Sequence, residues 1–305
     1  MMKRNFMIFT VLVIFLLVIS GCANLPNIPS IPSLPSLGQK EKTITQSNAL
    51  SIKFLEGQPP SDEILAGQNF RVSLELTNNA PQEISGVIEL SDTPSDAFSS
   101  LSGKEQGSFS LLPAEEVGER LVPTKEIINF GPYVYYPDIY FKGMTTTFIT
   151  EVKTEHKESI TAQLCVKSGE TEGVKCSNKE TITNFGTSAN LAPIKVTKVE
   201  KTLIPDEQGT ATLNLKIHLS NSGKGEIDNE DQVLNNLNIN LQGSSLVCPS
   251  TSKVSLKLKE KTITCTAQVS VAEELFRQEI LEISYSYPYK IIETLGPIKV
   301  TKFEV

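Results

Sequence analysis

From Ser51 onward the chain alternates apolar and polar residues with a period of two. Leu213, Leu215, Ile217 and Leu219 are interleaved with Asn214, Lys216 and His218. Successive side chains of a strand point to opposite faces, so each such segment buries one face and wets the other, as antiparallel sheets do. The same spacing recurs at Val72-Leu74-Leu76, Leu237-Ile239-Leu241, Val254-Leu256-Leu258 and Ile263-Cys265-Ala267-Val269. Clusters of Gly, Asn, Pro and Ser separate these segments, and no long run of helical period competes with them. Only Ala272–Leu281 fits a short helix. Many short strands divided by turn signals predict an all-β fold of tandem immunoglobulin-like antiparallel β-sandwiches.

An internal repeat sets the expected domain boundary. Leu191-Ala192-Pro193-Ile194-Lys195-Val196-Thr197-Lys198-Val199-Glu200 returns as Leu295-Gly296-Pro297-Ile298-Lys299-Val300-Thr301-Lys302-Phe303-Glu304, identical at eight of ten positions with an offset of 104. The second copy is expected to be the last strand of a module, which places one sandwich at 49–200 and another at 201–305. A weaker echo, Leu74-Glu75-Leu76-Thr77-Asn78 against Ile217-His218-Leu219-Ser220-Asn221, ends at an Asn turn in both modules. The first module is long for a sandwich of this type, so an insertion or extra strands are expected within 91–150.

The amino-terminal residues read as an address. Lys3 and Arg4 precede an apolar run, Phe6 to Ile19, broken only by Thr10. A basic region followed by an apolar stretch of this length is a secretion signal, since a spanning helix needs about 20 apolar residues. The small residues Ser20 and Gly21 before Cys22 resemble the lipobox of prokaryotic lipoproteins, which makes 1–21 a signal peptide and Cys22 the site of lipidation. An uncleaved signal anchor with an incidental Cys22 is the alternative, and either reading exports the remainder. Within 22–48, Pro26, Pro29, Pro32 and Pro35 recur with the three-residue period of the polyproline II helix. Ala23 to Gly38 in that form is a spacer of roughly 50 Å.

Four further cysteines, Cys165, Cys176, Cys248 and Cys265, lie away from both histidines and in no zinc-binding spacing. Three pairings are open to them. The local one, Cys165–Cys176 and Cys248–Cys265, keeps each bond within one module and across one loop, in the oxidising surroundings of an exported protein.

The chain resembles the tandem immunoglobulin-like surface proteins of archaea, with domains of the CARDB or adhesion-associated type. The resemblance rests on Phe54-Leu55-Glu56-Gly57-Gln58-Pro59-Pro60, on the strand ending at Thr77-Asn78-Asn79, on the Cys165–Cys176 hairpin leading into Ala192-Pro193-Ile194, and on Tyr285-Ser286-Tyr287. It implies a lipid-anchored protein of the extracellular face with a structural or adhesive role, and it carries no catalytic residue over.

Two segments are candidate sites. Tyr133, Tyr135, Tyr136, Tyr140 and Phe141, with Pro132 and Pro137, suit an exposed ledge for sugar rings or a protein partner, or else rings packed on a core edge. Asp228, Glu230 and Asp231, after Gly223 and Gly225, suit a weak calcium loop or a plain solvated turn. His156, in the charged run 151–158, and His218, on the polar face of its strand, are expected at the surface. Tyr285, Tyr287 and Tyr289 share one face if the strand runs through Pro288. With 28 basic and 35 acidic residues, the net charge of −7 argues against nucleic acid as a partner. No nucleophile elbow, phosphate loop or His-Glu-x-x-His is present, and no cofactor is indicated. The expected function is therefore a non-enzymatic surface structural or interaction protein whose partner is a surface protein or glycan. A carbohydrate-binding adhesin, or an accessory subunit of an exported hydrolase, is the alternative.

Overall fold

The computed structural model describes residues 48–60, 62–93, 104–118, 120–137, 143–167, 176–185, 190–206, 209–242, 244–249, 251, 253–271 and 277–302. The signal peptide, Cys22 and the proline stalk lie outside them. Gln46–Val305 forms one compact unit, and both disulfides and the whole described core lie inside it.

The described residues form seventeen strands, as the period-two alternation requires. They are β1 (Leu50–Phe54), β2 (Glu63–Ala66), β3 (Asn69–Asn78), β4 (Ile84–Thr93), β5 (Glu105–Leu111), β6 (Glu115–Val117), β7 (Arg120–Val122), β8 (Thr124–Val134) and β9 (Thr145–Val166). There follow β10 (Lys179–Ile182), β11 (Ile194–Pro205), β12 (Thr210–Asn221), β13 (Glu226–Ile227), β14 (Asn235–Leu241), β15 (Leu246–Val247), β16 (Glu260–Ser270) and β17 (Arg277–Lys302). The fold is an all-β sandwich architecture. The extra strands expected within 91–150 are β5 to β8, of which β6 and β7 form a separate hairpin.

Two long strands organise the whole. β17 pairs antiparallel with β9 from Arg277 opposite Val166 to Lys299 opposite Thr145, with one bulge between Leu295 and Ile298. Beyond β9 the sheet continues through β4 to β5, and the other edge of β17 carries β14, β13 and, in parallel, β2. A three-stranded sheet, β1-β3-β8, covers one end of this pair, where Phe70 of β3 meets Phe148 of β9 at 5.9 Å between ring centroids. A five-stranded sheet, β10-β11-β12-β16-β15, covers the other end, where the Tyr285 hydroxyl of β17 donates to the Ile194 carbonyl of β11 at 3.0 Å. β9 thus leaves the first sandwich for the second, and β17 returns.

This topology differs from a simple tandem. The boundary expected at 200/201 falls inside β11, which pairs with β12 from Ile194 to Pro205, so the first copy of the repeat belongs to the second sandwich. The second copy ends β17 beside β2 and the start of β9, in the first sandwich. Both copies point the same residues inward: Ile194 and Val196 in one, Ile298 and Val300 in the other, are all buried. Alternation fixes which side chains face in, while the partners are set by contacts far along the chain.

The Asn echo is a structural repeat. Asn78 accepts from the Ala80 N–H and donates to the Gln82 carbonyl, and Asn221 accepts from the Gly223 N–H and donates to the Gly225 carbonyl. The same bonds at the same spacing end β3 and β12, since an Asn side chain stands in for a backbone turn. Along β12, Leu213, Leu215 and Ile217 are wholly buried, each contributing about 1.5–3 kcal/mol over an exposed position.

Two expectations fail locally. Leu281 and the other described residues of the supposed helix belong to β17, where a strand spanning both sandwiches has partners along its length. Val254 and Leu256 are buried as alternation requires, but a tight turn closed by the Lys259 N–H on the Leu256 carbonyl leaves Leu258 in solvent.

Candidate functional site

Both disulfides take the local pairing. Cys165, near the end of β9, is bonded to Cys176 ahead of β10, and Cys248, just after β15, to Cys265 of β16. The Cys165 carbonyl accepts from Lys201 Nζ, which also meets Glu180 at 2.9 Å. A buried ammonium is tolerable there because it is paired on both sides.

The tyrosine ledge does not form as a surface. Tyr133 and Tyr135 are buried, and Tyr140 and Phe141 lie outside the described residues. The Tyr135 ring stacks on Phe70 at 5.4 Å, and its hydroxyl donates to Asp92 at 2.8 Å and lies 2.6 Å from the Thr146 hydroxyl. The Tyr133 hydroxyl donates to Glu105. Burial, with these acids, pushes both phenols far up. Of the ledge's described tyrosines, Tyr136 alone is exposed. The rings close the end of the first core because polar partners wait for their hydroxyls inside it.

The acidic turn is neutralised by lysines. Asp228 and Glu226 meet Lys290 at 3.5 and 3.3 Å, and Asp231 meets Lys253 and Lys257, while Glu230 faces solvent. Lys253 beside Asp231 holds that carboxyl below its usual range. Partial burial would lower Lys290, but Glu226 and Asp228 hold it above its ordinary value. Among the described residues no three His, Cys, Asp or Glu side chains converge as a metal-binding group.

His156 is the clearest departure from expectation. It is buried, not at the surface, because β9 points its even-numbered residues inward from Thr146 to Val166. Its parity with Phe148, Val152, Ile160 and Leu164 was the available signal, masked by the charged residues between. Tyr285, Tyr287 and Tyr289 face it from β17 and are buried, and the strand does run through Pro288. The Pro288 carbonyl accepts from the Asp228 N–H, so its donorless nitrogen faces the edge where β13 gives way to β14.

Around His156, Tyr287 stacks and Tyr289 meets it edge-on at 5.8 Å. Thr154 Oγ1 and His156 Nε2 share a hydrogen bond of 3.0 Å. Glu158 Oε1 lies 4.0 Å from His156 Nδ1 and accepts from the Tyr287 hydroxyl at 3.5 Å. Burial lowers the imidazole to about 4 and raises the Glu158 carboxyl to about 7, so at neutral pH the imidazole is uncharged and the two do not form an ion pair. Tyr289, also buried, is pushed up to about 12, although its hydroxyl is held by the Gly225 N–H and Asn221. His218 lies part-exposed on its strand, 3.5 Å from Glu200 and bonded to Thr262.

No family model matches the chain, and no curated protein matches it. Among solved structures, the red sea bream transglutaminase is similar over 88% of this chain and 33% of its own, at 12% identity and a TM-score of 0.22. The chain thus spans about a third of that protein's length. The expectation that the chain is not an enzyme is withdrawn, since a protein whose name states an enzyme activity stands among its structural matches. A likeness this slight transfers no residue, substrate or reaction.

Proposed function

We propose that the chain is a lipid-anchored, stalked β-sandwich protein of a prokaryotic, archaeal membrane exterior, acting as a structural or interaction module. The observation that carries this reading is the use of its five cysteines. Four are consumed in two disulfides between segments close in sequence, which suits an oxidising compartment, and the fifth is Cys22 of the lipobox-like motif. The continuous β9–β17 ladder supports it further, because a strand pair shared by two cores couples them into one stiff body.

Mass spectrometry of the native amino-terminal peptide tests the anchor. A peptide beginning at a lipid-modified Cys22 is expected, and an unmodified Met1 terminus in purified membranes refutes it.

A further inference from the structure

The geometry points to a second membrane contact, a docking site for an anionic phospholipid surface formed by the Leu258 turn and the lysine-lined cleft beside it. The inference goes beyond the proposed anchor at Cys22, and it rests on that reading only for placing the protein next to a bilayer.

Four segments supply the cleft, of about 310 Å³: Lys224 from the turn after β12, Lys257 and Lys259 from the turn before β16, Lys290 from β17, and Gln232 from the loop before β14. Glu226 is the one acid lining it. Three of the lysines do have acidic neighbours, Lys224 with Glu293 at 3.6 Å, Lys257 with Asp231 at 3.5 Å, and Lys290 with Glu226 and Asp228. The pairs of Lys224 with Glu293, Lys257 with Asp231 and Lys290 with Glu226 each have one well-exposed partner, so they contribute little and yield to a competing anion, while Asp228 keeps Lys290 partly engaged. Lys259 forms no ion pair among the described residues.

Charge alone would suit any polyanion. Leu258 decides for a lipid surface. It is 90% exposed between two of the lining lysines, and Ile292, also lining the cleft, is 51% exposed. Its exposure is imposed by a braced turn. Leu256 is buried, the Lys259 N–H closes on the Leu256 carbonyl at 2.8 Å, and the Lys259 carbonyl accepts from the Asn221 N–H at 2.7 Å. The Leu256 N–H is held in turn by the Gln232 carbonyl. An apolar tip held rigidly between ammonium groups matches a bilayer, where the side chain enters the acyl boundary and the lysines meet phosphates. A soluble acidic polysaccharide offers Leu258 nothing, and the cleft has no aromatic ring for a sugar to stack on.

The test uses the fragment 46–305, which holds the described cores and both disulfides but not Cys22, in sedimentation with vesicles. Binding is expected to phosphatidylcholine vesicles containing phosphatidylglycerol and not to phosphatidylcholine alone, and to weaken as salt is raised. Leu258→Ser should weaken it about tenfold or more, and Lys257→Glu with Lys259→Glu should abolish the preference for anionic vesicles. Leu258 and both lysines are exposed, and an unchanged circular dichroism spectrum verifies that the variants fold. No vesicle binding, equal binding to neutral vesicles, or indifference to Leu258→Ser would overturn the proposal. Retention on heparin without vesicle binding would instead assign the cleft to soluble polyanions. Because the fragment lacks Cys22, any of these failures leaves the anchor to be judged by its own peptide measurement.

Discussion

His156 and Tyr287 stand directly opposite one another in the β9–β17 ladder, with ring centroids 5.1 Å apart and ring planes 10° from parallel. The register sets Glu158 opposite Tyr285 and Thr154 opposite Tyr289, so polar side chains of one strand lie against tyrosines of the other within the core.

Two opposed titrations follow from that burial. Glu158, raised to about 7, keeps its proton in the folded state where the unfolded chain has lost it, so its contribution falls as pH rises from about 4.5 to 7. His156, lowered to about 4, stays neutral where the unfolded chain binds a proton, so its contribution is lost as pH falls from about 6.5 to 4. Each effect is on the order of 3 kcal/mol, and in the native protein they largely cancel over the shared window. Glu158→Gln should therefore show stability rising with pH from about 4 to 6.5, and His156→Gln should show it falling from about 4.5 to 7. Urea denaturation across this range checks both, and two flat profiles would show that neither group is shifted.

Replacing Cys248 and Cys265 together by Ala should lower stability by about 3 kcal/mol, since the bond closes a loop of 17 residues. The shift in the denaturation midpoint, compared with that of the native protein under reducing conditions, measures it.

Tyr135→Phe removes the hydroxyl that serves buried Asp92 and should cost about 1–3 kcal/mol. Tyr136→Ala, at an exposed position two residues from Val134, should stay within about 0.5 kcal/mol. Equal effects at the two positions would contradict the assignment of one ring to the core and the other to solvent.

Gly225→Ala would set a Cβ 2.0 Å from the Lys290 carbonyl oxygen and 3.0 Å from the Tyr289 ring. Backbone must move, parting β13 from β17, with an expected loss of about 1–3 kcal/mol. Hydrogen exchange at Asp228, whose N–H donates to the Pro288 carbonyl of β17, should accelerate in the variant.

Much of this was readable along the chain. Leu213 to Leu219 identify a strand and its inward face without reference to any other segment, and Asn78 and Asn221 mark where two strands stop. Cys165 and Cys176 are close enough in sequence for their bond to be anticipated. The charged residues around His156 suggest a solvated run, although its parity puts it with Phe148 and Leu164 on the buried face. Tyr133 and Tyr135 take the second of the two readings open to them, rings packed in the core. Flanking prolines suggested a loop, while Asp92 and Thr146, whose positions make burial tolerable, are remote from Tyr135's immediate neighbours.

What the amino-acid order determined alone was the class of fold, the inward residues of most strands and the turns that end them, because side-chain alternation is a local property with a period of two. Which strands lie side by side was decided only in three dimensions. Nothing near Tyr287 announces His156 as its neighbour, and nothing near Pro297 announces β2. Such pairings are chosen by the burial of whole faces at once, and that is how two strands come to run through both cores and enclose an imidazole between them.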